Sequence, residues 1–508
     1  MGGDWNILLI TLDQWRADHL GAVGHPVLRT PALDALAEDG VLFRRHYTQA
    51  SPCGPARASL FTGLYLHNHR SLRNGVPLDD RHANLAREAR KAGHDPLLFG
   101  YTDTSLDPRG LAPDDPALAT YEGVLPGFSA GQVLTEEPWP WVKDLEAKGY
   151  KIPAEPREMW KPRDPEDPRG VARYTAAHSE TAFLTDQALR HLTGAARAPW
   201  FLHLSYLRPH PPYIAPEPYD RMYAAEDMAA PVRKASRAEE ASIHPWLAWQ
   251  IEQIWSLPQL RHDHRRTASL DETGLRNLRA VYCGMITQVD DQLARLFQAV
   301  KDAGTWDRTL VIVTADHGDQ LGDHWLIGKD GFFEASFHIP LLIRDPRAPK
   351  AARGRTVDAF TEAVDVFPTL LDWLDRPSLP QLDGRSLMPW LHGETPSAWR
   401  QAAHWGYDFR DLRGGKPERA LGLASEDCHL LVTRGPRWKY VHFTGLPPLL
   451  YDLERDPQEM ADLAGDPAHA EIVRQCAQEL LSWRMRHDDR TLSHLHLGPG
   501  GVFARSPA

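Results

Sequence analysis

Four cysteines in 508 residues (Cys53, Cys283, Cys428 and Cys476) are too few for a disulfide framework. Cys283 and Cys476 fall in helical patterns and read as small buried hydrophobes. No apolar run approaches ~20 residues, so no membrane span is expected. The opening Met1-Gly2-Gly3-Asp4 lacks a basic region, a long apolar stretch and a small-residue cleavage site. That argues against a secretory leader and leaves the cytoplasm as the expected location. Asn6 stands where a myristoylation motif needs Ser or Thr. Positive charge is not in excess either: 57 Lys and Arg against 68 Asp and Glu give a net charge of -11. A nucleic-acid footprint is therefore not expected, although a few basic groups and a metal can still build a local anion pocket. Internal repeats and low-complexity segments are missing too.

What is present is enough apolar material, 42% of residues, for a large core. Residues 5–11 form a short apolar run ending at Asp13, and 309–315 form another ending at Asp316 and His317. Both read as buried strands that deliver polar side chains at their carboxyl ends. Further strands are expected at 42–48, 96–99, 200–206 and 339–344. Helical patterns cover 31–39, 55–66, 83–92, 171–192, 272–302 and 359–374. This alternation predicts an α/β fold with a large, mostly parallel sheet flanked by helices. Two stretches, about 103–170 and 207–270, are rich in Pro and charge without a period and read as long surface excursions. Past residue 375 the segments become shorter and mixed. We read 1–375 as the main α/β domain, with the two excursions, and 376–508 as a smaller α+β subdomain with an antiparallel sheet, closed by a helix at 468–485. The tail from Ser493 is compatible with an extended arm or with an untethered end.

The most specific local feature is Ser51-Pro52-Cys53-Gly54-Pro55-Ala56-Arg57-Ala58-Ser59-Leu60-Phe61-Thr62-Gly63. Cys53, Pro55, Arg57, Thr62 and Gly63 stand at the offsets of the sulfatase signature, so the chain resembles the sulfatases of the alkaline-phosphatase-like superfamily. The resemblance implies an alkaline-phosphatase-like fold and conversion of Cys53 to formylglycine by a formylglycine-generating enzyme, guided by Pro55 and Arg57. The chemistry is intelligible. A thiol adduct would still have to be attacked by water. A hydrated aldehyde instead carries two hydroxyls on one carbon: one attacks sulfur or phosphorus, and the other collapses to the aldehyde and expels the product anion. A helix N-terminus at this point favours the anion.

Two further segments agree. Thr11-Leu12-Asp13-Gln14-Trp15-Arg16 resembles the family's N-terminal metal segment, where paired aspartates are usual and Gln14 departs. Thr314-Ala315-Asp316-His317-Gly318 resembles its second metal segment, with His317 where many members carry Asn. The resemblance thus implies one divalent metal on Asp13, Asp316, His317 and the modified Cys53. Two oxygens and an imidazole move the site from a calcium cage toward transition metals. Mn2+ is expected first, with Zn2+, Fe2+ and Ca2+ left open. His324 reads as structural. Lys329 is expected to bind the substrate anion or leaving group, His210 to hydrogen-bond the transferred group or protonate the leaving oxygen, and Arg57 to orient the nucleophile.

Several departures resemble one branch, the phosphonate monoester hydrolases: Gln14, His317, Arg208-Pro209-His210-Pro211-Pro212 and His404 to Arg410. Gly100-Tyr101-Thr102-Asp103-Thr104 resembles that branch's active-site loop, with Asp103 where the branch has Thr. Tyr101, Thr104 and Asn74 are the expected substrate contacts. The resemblance implies hydrolysis of phosphonate monoesters and phosphodiesters, with sulfate monoesters as promiscuous substrates, since all three are monoanions. It also implies a homo-oligomer, tetramer or dimer, and, besides the maturing formylglycine-generating enzyme, a small-molecule ester substrate as partner, with no nucleic acid or membrane. The alternatives are an arylsulfatase on the same machinery and, from another class, a non-catalytic binding protein retaining the fold.

Overall fold

Residues 5–194 and 199–505 are described by a computed structural model; residues 1–4, read above for leader and myristoylation signals, lie outside them. The chain begins with β1 (Asn6–Leu12), followed by β2 (Val41–Tyr47) and the two-residue β3 (Ala50–Ser51). Next come β4 (Pro96–Gly100), β5 (Ser129–Val133), β6 (Phe201–Tyr206), β7 (Thr309–Ala315), β8 (Leu341–Arg344) and β9 (Arg355–Glu362). The main sheet has the order β5-β4-β6-β1-β7-β8-β2-β9. Only β8 runs against its neighbours, so the sheet is mostly parallel, as the apolar runs imply. Every residue of β1 and β7 is buried, as strands covered by helices on both faces must be. At ~1.5–3 kcal/mol for each fully buried large aliphatic side chain, these two strands anchor the core.

A second sheet follows from β10 (Ala403–Asp408), β11 (His429–Arg434), β12 (Trp438–Phe443) and β13 (Leu449–Asp452). These four are antiparallel, and β3 from the front of the chain adds to β10 in parallel. The helix Ala470–Arg486 packs on this sheet through Cys476, Leu480 and Trp483 against Tyr440 and Leu450. The tail forms a hairpin, β14 (Leu495–Gly498) and β15 (Gly501–Ala504), with Leu497, Val502 and Phe503 exposed.

Three local readings need correction. The stretch 359–374 is not one helix: Arg355–Glu362 is β9, paired in parallel with β2, and the helix covers only Val366–Trp373. The reading 171–192 shortens to Glu180–Gly194. Ser179 stops it: its Oγ accepts from the backbone N–H of Ala182 at 3.1 Å, an N-terminal cap. The two excursions also carry structure. Ser129–Val133 adds an edge strand to the main sheet. Pro245–Trp255 is a helix that buries Trp246, Leu247 and Ile251 against Phe332 and Phe443. Among the described residues no helix is long and apolar enough to cross a membrane.

Candidate active site

Parallel strands that end at one edge bring together residues far apart in sequence. Leu12 is level with Ala315 across β1 and β7, so Asp13 and Asp316 emerge side by side. On the other flank β6 leads into His210 and β4 into Tyr101. Cys53 arrives differently, from β3 of the second sheet, and opens the helix Cys53–Thr62. That helix starts two residues before the predicted Pro55 and stops at Gly63, whose φ of 67° suits glycine. The site therefore lies where the two sheets meet.

Asp13, Cys53, Asp316 and His317 are all buried, and their candidate ligand atoms lie within 4.8 Å of one another. Cys53 Sγ is 3.2 Å from His317 Nε2, 3.1 Å from Lys329 Nζ and 4.0 Å from Asp13 Oδ1. In a formylglycine hydrate this sulfur position stands in for a hydroxyl oxygen on the same carbon. Burial and the Asp13 carboxylate push the Cys53 thiol well above its ordinary range. An unmodified Cys53 is thus a thiol, not a nucleophilic thiolate.

Arg57, fully buried, organises the floor. Its Nε donates to Asp316 Oδ2 at 2.9 Å and its Nη2 to Asp13 Oδ2 at 3.3 Å. Its Nη1 donates to Ser205 Oγ at 2.7 Å and to the Tyr101 carbonyl at 3.2 Å. One guanidinium facing two carboxylates is a use that a lysine point charge does not replace. Burial and the neighbouring Asp316 still raise Asp13 to about 7. Burial also disfavours ionisation of Asp316, but the cationic Arg57 and Lys329 hold it below the usual carboxylate range.

His317 is pushed down to about 3 by burial, so it is a neutral imidazole. Its Nδ1 donates to the Gly318 carbonyl at 3.1 Å, which leaves the Nε2 lone pair facing the cluster. Gly318 is required there, because a Cβ would lie 2.1 Å from the Ala335 carbonyl oxygen. Two buried carboxylates, one of them raised by burial and by its neighbour, and a lone pair aimed between them form a donor set that fits one divalent cation.

Gln14 adopts a φ of 69°, uncommon for a side-chain-bearing residue. Its Nε2 donates to Asp319 Oδ2 at 2.5 Å, and its Oε1 accepts from Lys329 Nζ at 3.0 Å. Tyr213 also donates to Asp319 Oδ2, at 2.6 Å. The departure from paired aspartates thus holds the lysine in place. Sequence reasoning passed over Asp319 and Tyr213, although each directly follows a segment that carries the resemblance. Burial pulls Lys329 down, but the carboxylates of Asp13 and Asp316 more than reverse this and keep it charged.

A cavity of about 950 Å³ opens above the floor, lined in part by Gln14, Asn74, His210, Tyr213 and Lys329. Asn74 Oδ1 accepts from the Gly54 backbone N–H at 2.9 Å, at the start of the Cys53 helix. His210 is held by Arg208, whose Nη1 donates to the His210 and Pro212 carbonyls at 2.8 Å each. Its Nδ1 donates to the Pro211 carbonyl at 2.7 Å, and its Nε2 is 3.8 Å from Glu136 Oε1. Burial and Lys329 hold His210 neutral, so at rest it presents a lone pair and accepts a proton before it can give one. Glu136, in a stretch without periodicity, gave no sequence signal.

Two expected substrate contacts are placed elsewhere. Tyr101 lies under the floor, not in the cavity lining: its hydroxyl donates to Asp13 Oδ2 and its ring stacks under Arg57 at 4.2 Å. Thr104 turns inward, bridged to Gly123, with Oγ1 3.3 Å from the Thr102 carbonyl. His324 is outside the cluster, stacked on Phe333 at 3.7 Å and bonded to Glu240 at 2.9 Å. A second group, His19, His25 and Cys283, could also gather donor atoms. There His25 Nδ1 accepts from the Leu28 backbone N–H at 3.0 Å, which places its ring proton on Nε2 and suits a turn better than a ligand.

The sulfatase family model matches residues 5–376, and the model described as N-sulphoglucosamine sulphohydrolase, C-terminal, matches 322–486. The multifunctional alkaline phosphatase superfamily protein PehA of Trinickia caryophylli is 44% identical over 99% of both chains. The crystal structure of the phosphonate monoester hydrolase of Agrobacterium radiobacter superposes with a TM-score of 0.95, at 48% identity over 99% of this chain and 100% of that one. The phosphonate monoester hydrolase of Silicibacter pomeroyi gives 0.92 at 39% identity, covering 99% of each chain. With a family match across most of its length and full-length relatives at this identity, the chain belongs to the sulfatase family.

Proposed function

We propose that this protein hydrolyses monoanionic esters, phosphonate monoesters and phosphodiesters foremost and sulfate monoesters promiscuously, with formylglycine at position 53 as nucleophile. The observation that carries the reading is the surround of Cys53 Sγ: a lone-pair imidazole at 3.2 Å, an ammonium at 3.1 Å and two buried carboxylates tied by one guanidinium. The solved relatives named phosphonate monoester hydrolases support the substrate class.

Asp13, Asp316 and His317, with the modified residue 53, would hold one divalent cation. Once bound, it would supply Lewis-acid charge stabilisation and acidify the nucleophile. Two carboxylates and an imidazole suit Mn2+, Zn2+ or Fe2+ better than Ca2+. Arg57 fixes both carboxylates. Lys329, held by Gln14, faces the ester's negative charge beside the nucleophile. His210, at the cavity wall, would accept the proton that the attacking hydroxyl loses and pass it to the departing oxygen. Cys53 is only 2% exposed, so a formylglycine-generating enzyme must meet the chain before it folds.

Tandem mass spectrometry of the peptide containing Cys53 tests the reading, with a loss of ~18 Da expected from thiol-to-aldehyde oxidation. It is paired with turnover of aryl esters of phenylphosphonate, phosphate diester and sulfate. Unmodified Cys53 in active protein would overturn the nucleophile. Sulfate turnover more than about tenfold faster, or ~1.4 kcal/mol in barrier, would make the protein an arylsulfatase instead. Full biological activity in Cys53→Ala would point to a binding protein.

A further inference from the structure

The cavity above the floor has room for much more than one tetrahedral anion, since about 950 Å³ falls in the range of sites for drug-sized ligands. Its outer lining has two unlike parts. Trp249, Ile254 and Leu257, from one face of the helix Pro245–Trp255 and its end, form an apolar wall. Arg261, Arg413 and Lys416, from two segments far apart in sequence, are cationic and exposed.

The charge of these three is not balanced locally. Arg410, beside them in the lining, is paired with Asp408 at 2.8 Å. Among the described residues Arg261, Arg413 and Lys416 have no carboxylate within ion-pair distance. The acids nearest in sequence are engaged elsewhere: Asp263 pairs with Arg265 at 3.0 Å, Glu418 Oε1 accepts from the Asp411 backbone N–H and the Ser425 hydroxyl at 3.1 and 3.2 Å, and Asp411 Oδ1 accepts from the Arg413 and Gly414 backbone N–H groups at 3.2 and 2.9 Å. The whole lining holds six Lys and Arg side chains against three Asp and Glu. The chain as a whole carries -11, so the cavity reverses the sign of the molecule. A concave site with an excess of one sign of charge concentrates ligands of the other.

Lys329, 3.1 Å from Cys53 Sγ, answers the charge of the scissile group, whereas the three exposed cations line the same cavity as the apolar residues and are left for another charge. We propose that the outer cavity recognises a second anionic group, carried on an apolar arm of the ester. The substrate class is then an ester bearing a remote fixed anion such as a carboxylate. This rests on the hydrolase reading of the floor.

The test uses two phosphate diesters that share a 4-nitrophenolate leaving group and a hexyl arm, one ending in a carboxylate and the other in its methyl ester. The mature, metal-loaded enzyme is expected to favour the carboxylate by about tenfold in kcat/KM at low salt, expressed in KM, with the ratio shrinking as salt screens it. In the triple variant Arg261→Gln/Arg413→Gln/Lys416→Gln the ratio should fall to about one. Calorimetric binding of both esters to full-length Cys53→Ala asks the same question without turnover, and tighter binding of the carboxylate is expected. Equal kcat/KM and equal binding in the otherwise wild-type chain, or a ratio that survives the triple variant, would overturn the second-anion proposal and leave the hydrolase reading standing. Preferential binding of the carboxylate with no turnover of either ester would sustain the proposal and count against the hydrolase reading instead.

Discussion

The floor of the site and the outer cavity above it are built on opposite plans. On the floor, Asp13, Arg57, Asp316 and His317 are at most 1% exposed, and each charge is met by another at hydrogen-bond range. They stand at strand ends or on a buried helix, so the sheet sets their spacing. In the outer cavity the cations are exposed and unpaired, and they come from loops and short helices. A floor of this kind fixes chemistry, because buried charges cannot move apart without large cost. An outer wall on loops can change with little effect on the fold. A family can therefore keep one reaction and alter what it acts upon.

Arg57→Met should produce the largest effect, because it leaves two buried carboxylates without their shared cation. The expected loss is about 3–5 kcal/mol of stability, the usual result of removing one partner from a buried ion pair. Activity should fall on the order of 10³-fold or more as the floor loses its alignment. Denaturant unfolding of the unmodified protein reads the stability term separately from maturation of Cys53. A loss below about 1 kcal/mol would mean that the floor is not the tightly coupled unit described above.

A pH-dependent effect of intermediate size is expected under the floor. His203, fully buried on β6 with Nε2 3.1 Å from Thr11 Oγ1, is lowered by burial and by Arg57 to about 3. His46, also fully buried, is lowered to about 3 as well. Each folded-state value lies below that of the unfolded chain. The unfolded state thus binds more protons below about pH 6.5, and stability is lost as pH falls from there toward 3. Each such imidazole contributes at most about 1.4 kcal/mol per pH unit across that window. The unfolding midpoint should drop accordingly, and His203→Gln should flatten the drop. An unchanged slope in the variant would remove His203 from the account.

The same contrast explains what the sequence revealed. Asp13, Asp316 and His317 directly follow continuous apolar runs, and Cys53 opens a helix marked by Pro55 and Gly63, so each carried a local signal. Arg355–Glu362 did not, because its alternating residues run without a break into the strongly apolar helix Val366–Trp373. Only pairing with β2, more than three hundred residues earlier, makes it a strand. Tyr101 was expected to meet substrate because it lies in an active-site-like loop; three-dimensional packing assigned its hydroxyl to Asp13 instead. The outer cavity draws on segments near 117–121, 249–262 and 409–417, and nothing local in any of them announces the others.

The smallest effect should come from the loop that carries the outer cations. Leu412, between Asp411 and Arg413, is 65% exposed, so replacing it removes little buried area. Leu412→Ser should change stability by no more than about 0.5 kcal/mol, as surface substitutions usually do. Asp411→Ala is different. It removes the carboxylate that receives the Arg413 and Gly414 backbone N–H groups, at a cost of about 1 kcal/mol for a lost local hydrogen-bonding side chain. Both values lie well below that expected for Arg57→Met. Denaturant midpoints for the three variants should therefore fall in the order Leu412, Asp411, Arg57. If Leu412→Ser proved as damaging as Arg57→Met, the outer wall would be part of the folded framework, and its freedom to vary independently of the floor would be lost.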